Sequence, residues 1–570
     1  MPSELDRKVD AVLAEVTGPG GRIQIGHDDA GRAIVTNLPP TLPSMFDAFC
    51  LLHGATEGVV SGGERLTFAR LNEEATRLAH VLVGGWGVKK GDRVAVAMRN
   101  CPAWIVCYMA VLKAGGIATL VNGWWQPDEL RHGLALTEPS LVLCDAPRAA
   151  RLAATGLAIA SAVLPVEQPI EAALAPLHER GGGDAPLPEV APEDDSTILF
   201  TSGSTGAAKG ALSTHRAVTT GLYAYTIGLL TLLGIMEEEG RPPANPPKTL
   251  VNVPLFHVTG EVPVLLNSFV IGRTMVLMPK WDPGEALRLI AAEKITYFVG
   301  VPTMSLEMMQ HPDRDKYDLT SLTDIAAGGA ARPVAHVKRL QESFKAAQPA
   351  LGYGLTETNA AGCGNFWQNY ADKPSSTGRP HKPIVELAIL GEQDRHLPPF
   401  ERGEIAIRSA SNIRGYWNDP EATAAVFTAD LYLRTGDIGY VDEDEYLFIV
   451  DRKKDIIIRG GENISCQEVE AAIYAHPSVS EASVFGVPDE RLGEVPAAAV
   501  YCEDDPDLTG EQLREFLEDK IAAYKIPVRI WIHHEPLVKL GTGKIDKKVL
   551  RDRYGAASAS PSPDGEGDHP

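Results

Sequence analysis

The segment from residue 92 to 121 sets the strongest constraint on the fold. Residues 92–98 (DRVAVAM) read as an apolar strand, 104–112 (WIVCYMAVL) as a helix and 117–121 (IATLV) as a second strand. Two strands joined through a helix run parallel, and a parallel sheet needs helices over both of its faces. The pattern recurs. Residues 196–200 run into a glycine-rich loop, 249–253 into Pro254, 295–299 into Val301 and Pro302, and 350–351 into a second glycine turn. Ligands of open α/β sheets bind at the carboxyl ends of the strands, so these small and polar strand ends mark where a site is expected.

After residue 451 the texture shifts to shorter elements. Val469 and Ile473 share a helix face. Thr509 and Gln512 fit a capping box, with an apolar stripe of Leu513, Phe516, Leu517 and Ile521 behind it. The expected class is therefore α/β. A large N-terminal domain of mixed and parallel sheets covered by helices (41–453) follows an N-terminal extension (1–40). It precedes a small α+β domain (454–553) and a disordered tail (554–570).

With 53 basic and 75 acidic side chains among 570 residues, the formal charge is −22. That argues against a nucleic-acid partner, which would need a basic face, but not against small polyanions held in a locally basic pocket. The seven cysteines are scattered and form no C-x-x-C pair, so neither a disulfide framework nor a zinc site is expected. Residues 1–10 are charged and lack an apolar signal core. The most apolar run, 221–236, is shorter than the roughly 20 residues of a spanning helix and reads as a buried one. A cytoplasmic protein without a transmembrane segment is the expectation.

Five motifs carry the chemistry. Thr201, Ser202, Gly203, Ser204, Thr205 and Gly206 lead to Lys209 directly after an apolar strand. Glycines there expose backbone N–H groups to phosphate oxygens, and the hydroxyls and Lys209 add donors. The loop is not a P-loop, since Ala208 precedes the lysine and Gly210 follows it. Gly352, Tyr353 and Gly354 precede Thr356 and Glu357, a hydroxyl and carboxylate suited to a Mg²⁺–phosphate assembly. Asp437 follows a glycine turn and could accept from ribose hydroxyls. Arg452 and Lys454 open a charged run that continues through Gly460, Gly461 and Glu462, and Lys544 follows Gly-Thr-Gly near the end. Each alone is weak, and a capped turn or solvated charge would explain it.

In order, TSGSTG-x-x-KG, GYGLTE, TGD, DR-x-KD-x-I and TGK resemble the adenylate-forming (AMP-binding) superfamily, in its acyl-CoA synthetase and fatty-acid–CoA ligase branch. The resemblance covers residues 65–553, including 254–260 (PLFHVTG). One departure is Ala208, where most members carry proline. The resemblance implies ATP-dependent activation of a carboxylic acid to an acyl-adenylate, then transfer to coenzyme A with release of AMP and pyrophosphate.

By that resemblance Thr201 to Lys209 hold the β- and γ-phosphates, Glu357 with Thr205 binds Mg²⁺, and Thr356 contacts phosphate. Tyr353 packs on adenine, Asp437 and Arg452 hold the ribose, and Gly329 and Ala330 count among the cofactor-binding residues. Lys544 is the catalytic residue for adenylation, and His257 guards the carboxylate. Lys454 matches the hinge about which a mobile small domain turns, exchanging Lys544 for the 459–463 loop. Val301, Ala327, Gly328, Gly329, Ala330, Asn359 and Gly362 are the expected acyl lining, suited to a fatty or other hydrophobic acid. Trp124 and Trp125 read as packing residues. The expected partners are the carboxylic acid, ATP and CoA; a homodimer is allowed. An aryl-CoA ligase, a ligase loading a separate acyl carrier protein, a luciferase-like oxygenase and a non-catalytic ligand-sensing relative remain open.

Overall fold

The computed structural model describes residues 2–201, 208–328, 332–503, 505–540 and 543–555. The strand–helix–strand unit is present: Arg93–Ala97 and Ile117–Leu120 pair in parallel, Val94 opposite Ala118, with helix Pro102–Lys113 crossing between them. Every residue of that helix is buried. A helix apolar on all sides has to lie inside, and one core takes in Val94 and Leu120 of this sheet together with Val251 and Val299 of a second.

The first sheet has seven strands. It is parallel from Asp195–Thr201 across to Ser161–Leu164, and it ends in the antiparallel hairpin partner Lys209–Thr214 and the short strand Gly415–Tyr416. The second has nine strands and is parallel through its middle, where Gln348–Gly354, Asp324–Gly328, Tyr297–Gly300 and Lys248–Val251 lie side by side. A four-stranded antiparallel sheet adds Leu433–Val441 and Leu447–Arg452. Strand ends from all three converge on one region.

Residues beyond 455 build a separate five-stranded sheet with its own core, where Val469, Ile473, Leu513 and Leu517 are buried; Thr509 and Gln512 form the expected capping box. The last helix, Lys547–Gly555, runs through Tyr554, which stacks on Trp531 with ring centroids 4.2 Å apart. The first two residues of the expected tail are thus helical, and Tyr554 is partly buried against the small sheet. The rest of the tail, 556–570, lies outside the described residues.

The apolar run at 221–236 belongs to a longer helix than the sequence suggested. His215–Glu238 spans 24 residues, and among the described residues it is the one helix long and apolar enough to cross a bilayer. It is mostly buried inside the protein, as a core helix is. Helix Glu4–Thr17 lies along it, with Val12 against Gly234. At the start of that first helix Asp6 is 3% exposed, so its carboxylate needs partners. It accepts from Tyr446 Oη at 2.8 Å and Asn369 Nδ2 at 3.0 Å, and Arg379 lies at 3.5 Å. Residues 2–40 are therefore docked on the large unit through a buried polar knot.

Removing that knot has a defined cost. Asp6→Ala leaves the Tyr446 hydroxyl and Asn369 amide buried without their acceptor, and should lower stability by about 2–3 kcal/mol. A fall in the denaturant midpoint measures it. An unchanged midpoint would show that the N-terminal helix contributes nothing to the large unit.

Candidate functional site

The glycine-rich motif closes a hairpin. Thr201 ends one strand and Lys209 begins the next, paired directly opposite it. Ser202, Gly203, Ser204, Thr205 and Gly206 lie outside the described residues, as do Gly329 and Ala330. Lys209 Nζ stands 5.0 Å from the centroid of the Tyr416 ring and 3.9 Å from Asp419 Oδ2, a half-buried and weakly paired cation at the loop's base.

Tyr416 was not singled out in the sequence and proves to be the connector. Its strand pairs with Ala211 and Leu212, which holds the ring beside Lys209, and its hydroxyl donates to Glu357 Oε1 at 2.8 Å. Nothing but a Gly-Tyr-Trp triplet marked it, and only the cross-strand pairing brings it to Glu357. Glu357 lies in the turn Thr356–Thr358 directly after Gln348–Gly354. The turn folds back so closely that a Cβ at Gly354 would sit 2.1 Å from the Ala360 carbonyl oxygen, so glycine is required there. Burial holds the Glu357 carboxyl above its usual range, with the Tyr416 hydrogen bond opposing. No ion pair reaches Glu357 among the described residues. A half-buried carboxylate held by one hydroxyl donor, with Arg452 near but not paired to it, fits a Mg²⁺ ligand.

The third motif meets the fourth. Tyr353 Oη donates to Asp437 Oδ2 at 2.7 Å, while Arg452 Nε lies 3.1 Å from Asp437 Oδ1. The pairing of Leu433–Val441 with Leu447–Arg452 sets Asp437 opposite Arg452. Gly436, at φ +72°, makes the turn that brings the carboxylate round.

Lys544 completes the group from the small sheet. Its carbonyl accepts from Leu540 N at 2.7 Å, forming a tight turn with Gly543 at φ +81°. That turn is seated on Val301: a Cβ on Gly543 would come within 3.1 Å of Val301 Cγ2. Beside it Lys539 pairs with Glu481 at 2.6 Å and Glu307 at 3.6 Å. Burial, then the like charge of Arg452, pushes the Lys544 ammonium down to about 8, with Asp437 opposing. His257 is held neutral, pushed down to about 3 by burial and then by Lys544. Thr259 N–H donates to His257 Nδ1 at 3.4 Å, which leaves the ring proton on Nε2. The site therefore has three cations, two carboxylates and a neutral imidazole.

Not every expected residue joins this group. Gly460, Gly461 and Glu462 form an exposed turn between Ile457–Arg459 and Glu462–Ile464, and Gly460 N–H donates to the Leu492 carbonyl at 2.8 Å. Lys454 is an exposed turn residue just past Arg452. Two of the expected acyl-lining residues face elsewhere: Asn359 gives its amide to Ser213 at 3.0 Å and to the Ser411 carbonyl at 2.8 Å, and Ala327 packs with Val337, Leu351 and Tyr370. Trp125 packs edge-on to Phe200, as expected of a packing residue; Trp124, edge-on to Phe256, remains 43% exposed.

A three-sheet body with a small sheet delivering a lysine to its strand ends is the architecture of adenylate-forming enzymes. Family models agree: residues 46–417 match "AMP-binding enzyme" and residues 468–544 match "AMP-binding enzyme C-terminal domain". The chain belongs to the AMP-binding enzyme family. It is 34% identical to a long-chain-fatty-acid–CoA ligase of Bacillus subtilis (strain 168) over 86% of this chain and 90% of that one. It is likewise 34% identical to a feruloyl-CoA synthase of Amycolatopsis sp over 87% and 95%. Among solved structures, ATP-bound MatB from Rhodopseudomonas palustris superposes with a TM-score of 0.78 at 25% identity, covering 91% of this chain and 99% of that one.

The position of Lys544 predicts a pH limb. If its ammonium is needed, adenylation should be fully present below a pKa of about 8 and lost as pH rises through it. The profile of kcat/KM for acid-dependent pyrophosphate release from the free enzyme tests this. An alkaline limb that first appears near pH 10 would mean that Lys544 is not perturbed.

Proposed function

We propose that this protein is an acid–thiol ligase that joins a hydrophobic carboxylic acid to coenzyme A through an acyl-adenylate, with ATP as the activating substrate. The observation that carries the reading is the convergence of Lys209, Glu357, Asp437, Arg452 and Lys544, far apart in the chain, through Tyr416, the Asp437–Arg452 pair and the charges that reach Lys544. The family and the ligase relatives support it.

The first half-reaction brings a carboxylate to a polyphosphate, and the site has to offset their repulsion. One cation at 4 Å from an anion is worth about 4 kcal/mol at an effective dielectric of 20. Lys209 at the base of the glycine hairpin serves the outer phosphates. Lys544 serves the acyl carboxylate and α-phosphate, where negative charge concentrates as the carboxylate oxygen attacks phosphorus and pyrophosphate leaves. His257, neutral with its proton on Nε2, supplies a hydrogen bond and no charge. Glu357 would hold Mg²⁺, and the ion would supply positive charge for the pyrophosphate leaving group there. Asp437 with Arg452 holds the ribose, and Tyr353, fixed by its bond to Asp437, forms a wall for adenine.

In the second half-reaction the thiol sulfur attacks the acyl carbon and AMP departs. Lys544 and the 459–463 turn cannot both occupy the site, so we assign Lys454 as the hinge between a large domain (41–453) and a small one (454–553), with rotation between the half-reactions.

Two measurements test the roles. Lys544→Ala should cut single-turnover pyrophosphate release by at least a thousandfold, yet still convert supplied acyl-adenylate and CoA to thioester. Loss of both activities would remove the assigned role. Lys454→Pro, by fixing φ, should spare pyrophosphate release and slow thioester formation; an equal fall in both would refute the hinge. A pyrophosphate-release screen over acids of graded length and aromaticity, with CoA or a carrier protein as acceptor, identifies the substrates. Turnover with carrier protein alone would refute the CoA assignment.

A further inference from the structure

The joint at Lys454 is bridged by contacts that bypass it. Asp451 is 1% exposed, three residues before the hinge. Its carboxylate accepts from the backbone N–H groups of Cys466 and Gln467, the latter at 3.4 Å, at the first turn of helix Cys466–Tyr474. Next to it the Ser465 hydroxyl donates to the Val450 carbonyl at 2.8 Å. Val450 and Asp451 precede the hinge, whereas Ser465, Cys466 and Gln467 follow it.

Each side of this bridge is rigidly held. Asp451 lies opposite Ile438 in the antiparallel ladder of the large unit. Cys466, Val469 and Ile473 are buried in the small unit's core, so the helix moves with that unit. Rotation about residue 454 cannot keep both contacts. The carboxylate is also well suited to its place, since unpaired N–H groups and the positive end of a helix dipole offset the cost of burying it. The helix already has its own cap: Ser465 Oγ accepts from Glu468 N–H at 3.1 Å. That cap leaves the Cys466 and Gln467 N–H groups free, and Asp451, from the other side of the hinge, supplies their acceptor.

We propose that Asp451, assisted by Ser465, is a positioning residue that latches the small domain in the orientation that places Lys544 in the site, and that the latch opens for the thioester step. The proposal rests on the hinge assignment above. Asp451 touches no reacting atom. It acts through the placement of Lys544.

The test reads orientation and chemistry in one full-length protein. Glu307 and Lys539 face each other across the two units, and all seven native cysteines are buried, so a Glu307→Cys, Lys539→Cys pair can be bridged by a bis-maleimide. The bridged enzyme should release pyrophosphate and make no thioester; if it makes thioester at the unbridged rate, the hinge reading fails. In the same background Asp451→Asn should slow bridging and single-turnover pyrophosphate release together, by about tenfold, the scale of one charge-assisted hydrogen bond. Thioester formation from supplied acyl-adenylate should be unchanged or faster. Pyrophosphate release that falls while bridging does not, or an equal fall in both half-reactions, overturns the latch. Ser465→Ala should move the same readouts in the same direction by a smaller factor, and it decides the question if Asp451→Asn does not fold.

Discussion

Asp437 is the point on which the site's geometry depends. Its carboxylate takes one hydrogen bond from Tyr353, at the end of a strand in the nine-stranded sheet, and pairs with Arg452, the last residue of the strand that leads to the joint. It is also the group whose charge favours the ammonium of Lys544, carried in from the small unit. One 4%-exposed carboxylate thus ties together Tyr353, Arg452 and Lys544, the residues proposed above as adenine wall, ribose contact and adenylation lysine. The order of burial explains why such a tie is possible. A carboxylate can be placed there because two donors satisfy it on one side while a cation faces it on the other.

The same economy governs the cations. A protein of net charge −22 has carboxylates to spare, yet a site for polyphosphate needs positive charge that is not already neutralised. Arg452 keeps a partner. Among the described residues Lys209 meets a distant carboxylate and an aromatic face, and Lys544 lies beside a like charge. Lys544 pays for this in protonation. The arrangement is poor for stability and good for a ligand that brings the missing anions.

The parallel strands, the buried crossover helix and the separate small sheet were legible in the sequence because apolar periodicity and capping residues are local signals. Ordered motifs identified Lys209, Glu357, Asp437, Arg452 and Lys544 as one group. Tyr416 was not legible, since its role comes from pairing with Ala211 and Leu212 some 200 residues earlier. Asn359, placed in the acyl lining by the resemblance, gives its amide to Ser213 and Ser411, partners that no local pattern indicates. The docking of residues 2–40 depends on Asp6 meeting Tyr446, which no local pattern encodes.

Burying the Lys544 ammonium and holding the small unit in place are one energetic problem. The orientation that brings Lys544 beside Arg452 is opposed by desolvation and by like charge, so contacts elsewhere must favour it: Lys539 with Glu307, Ser465 with Val450, and Asp451 at the helix terminus. Bound carboxylate and triphosphate would add to that side of the balance, because they supply the anions that Lys544 lacks. Departure of pyrophosphate removes much of that charge, leaving the contacts across the joint to resist the desolvation cost alone. On the proposed mechanism, the small unit is then free to turn at the point in the reaction where the thiol has to enter. Contacts too strong would stall the second half-reaction, and contacts too weak would leave Lys544 out of the first.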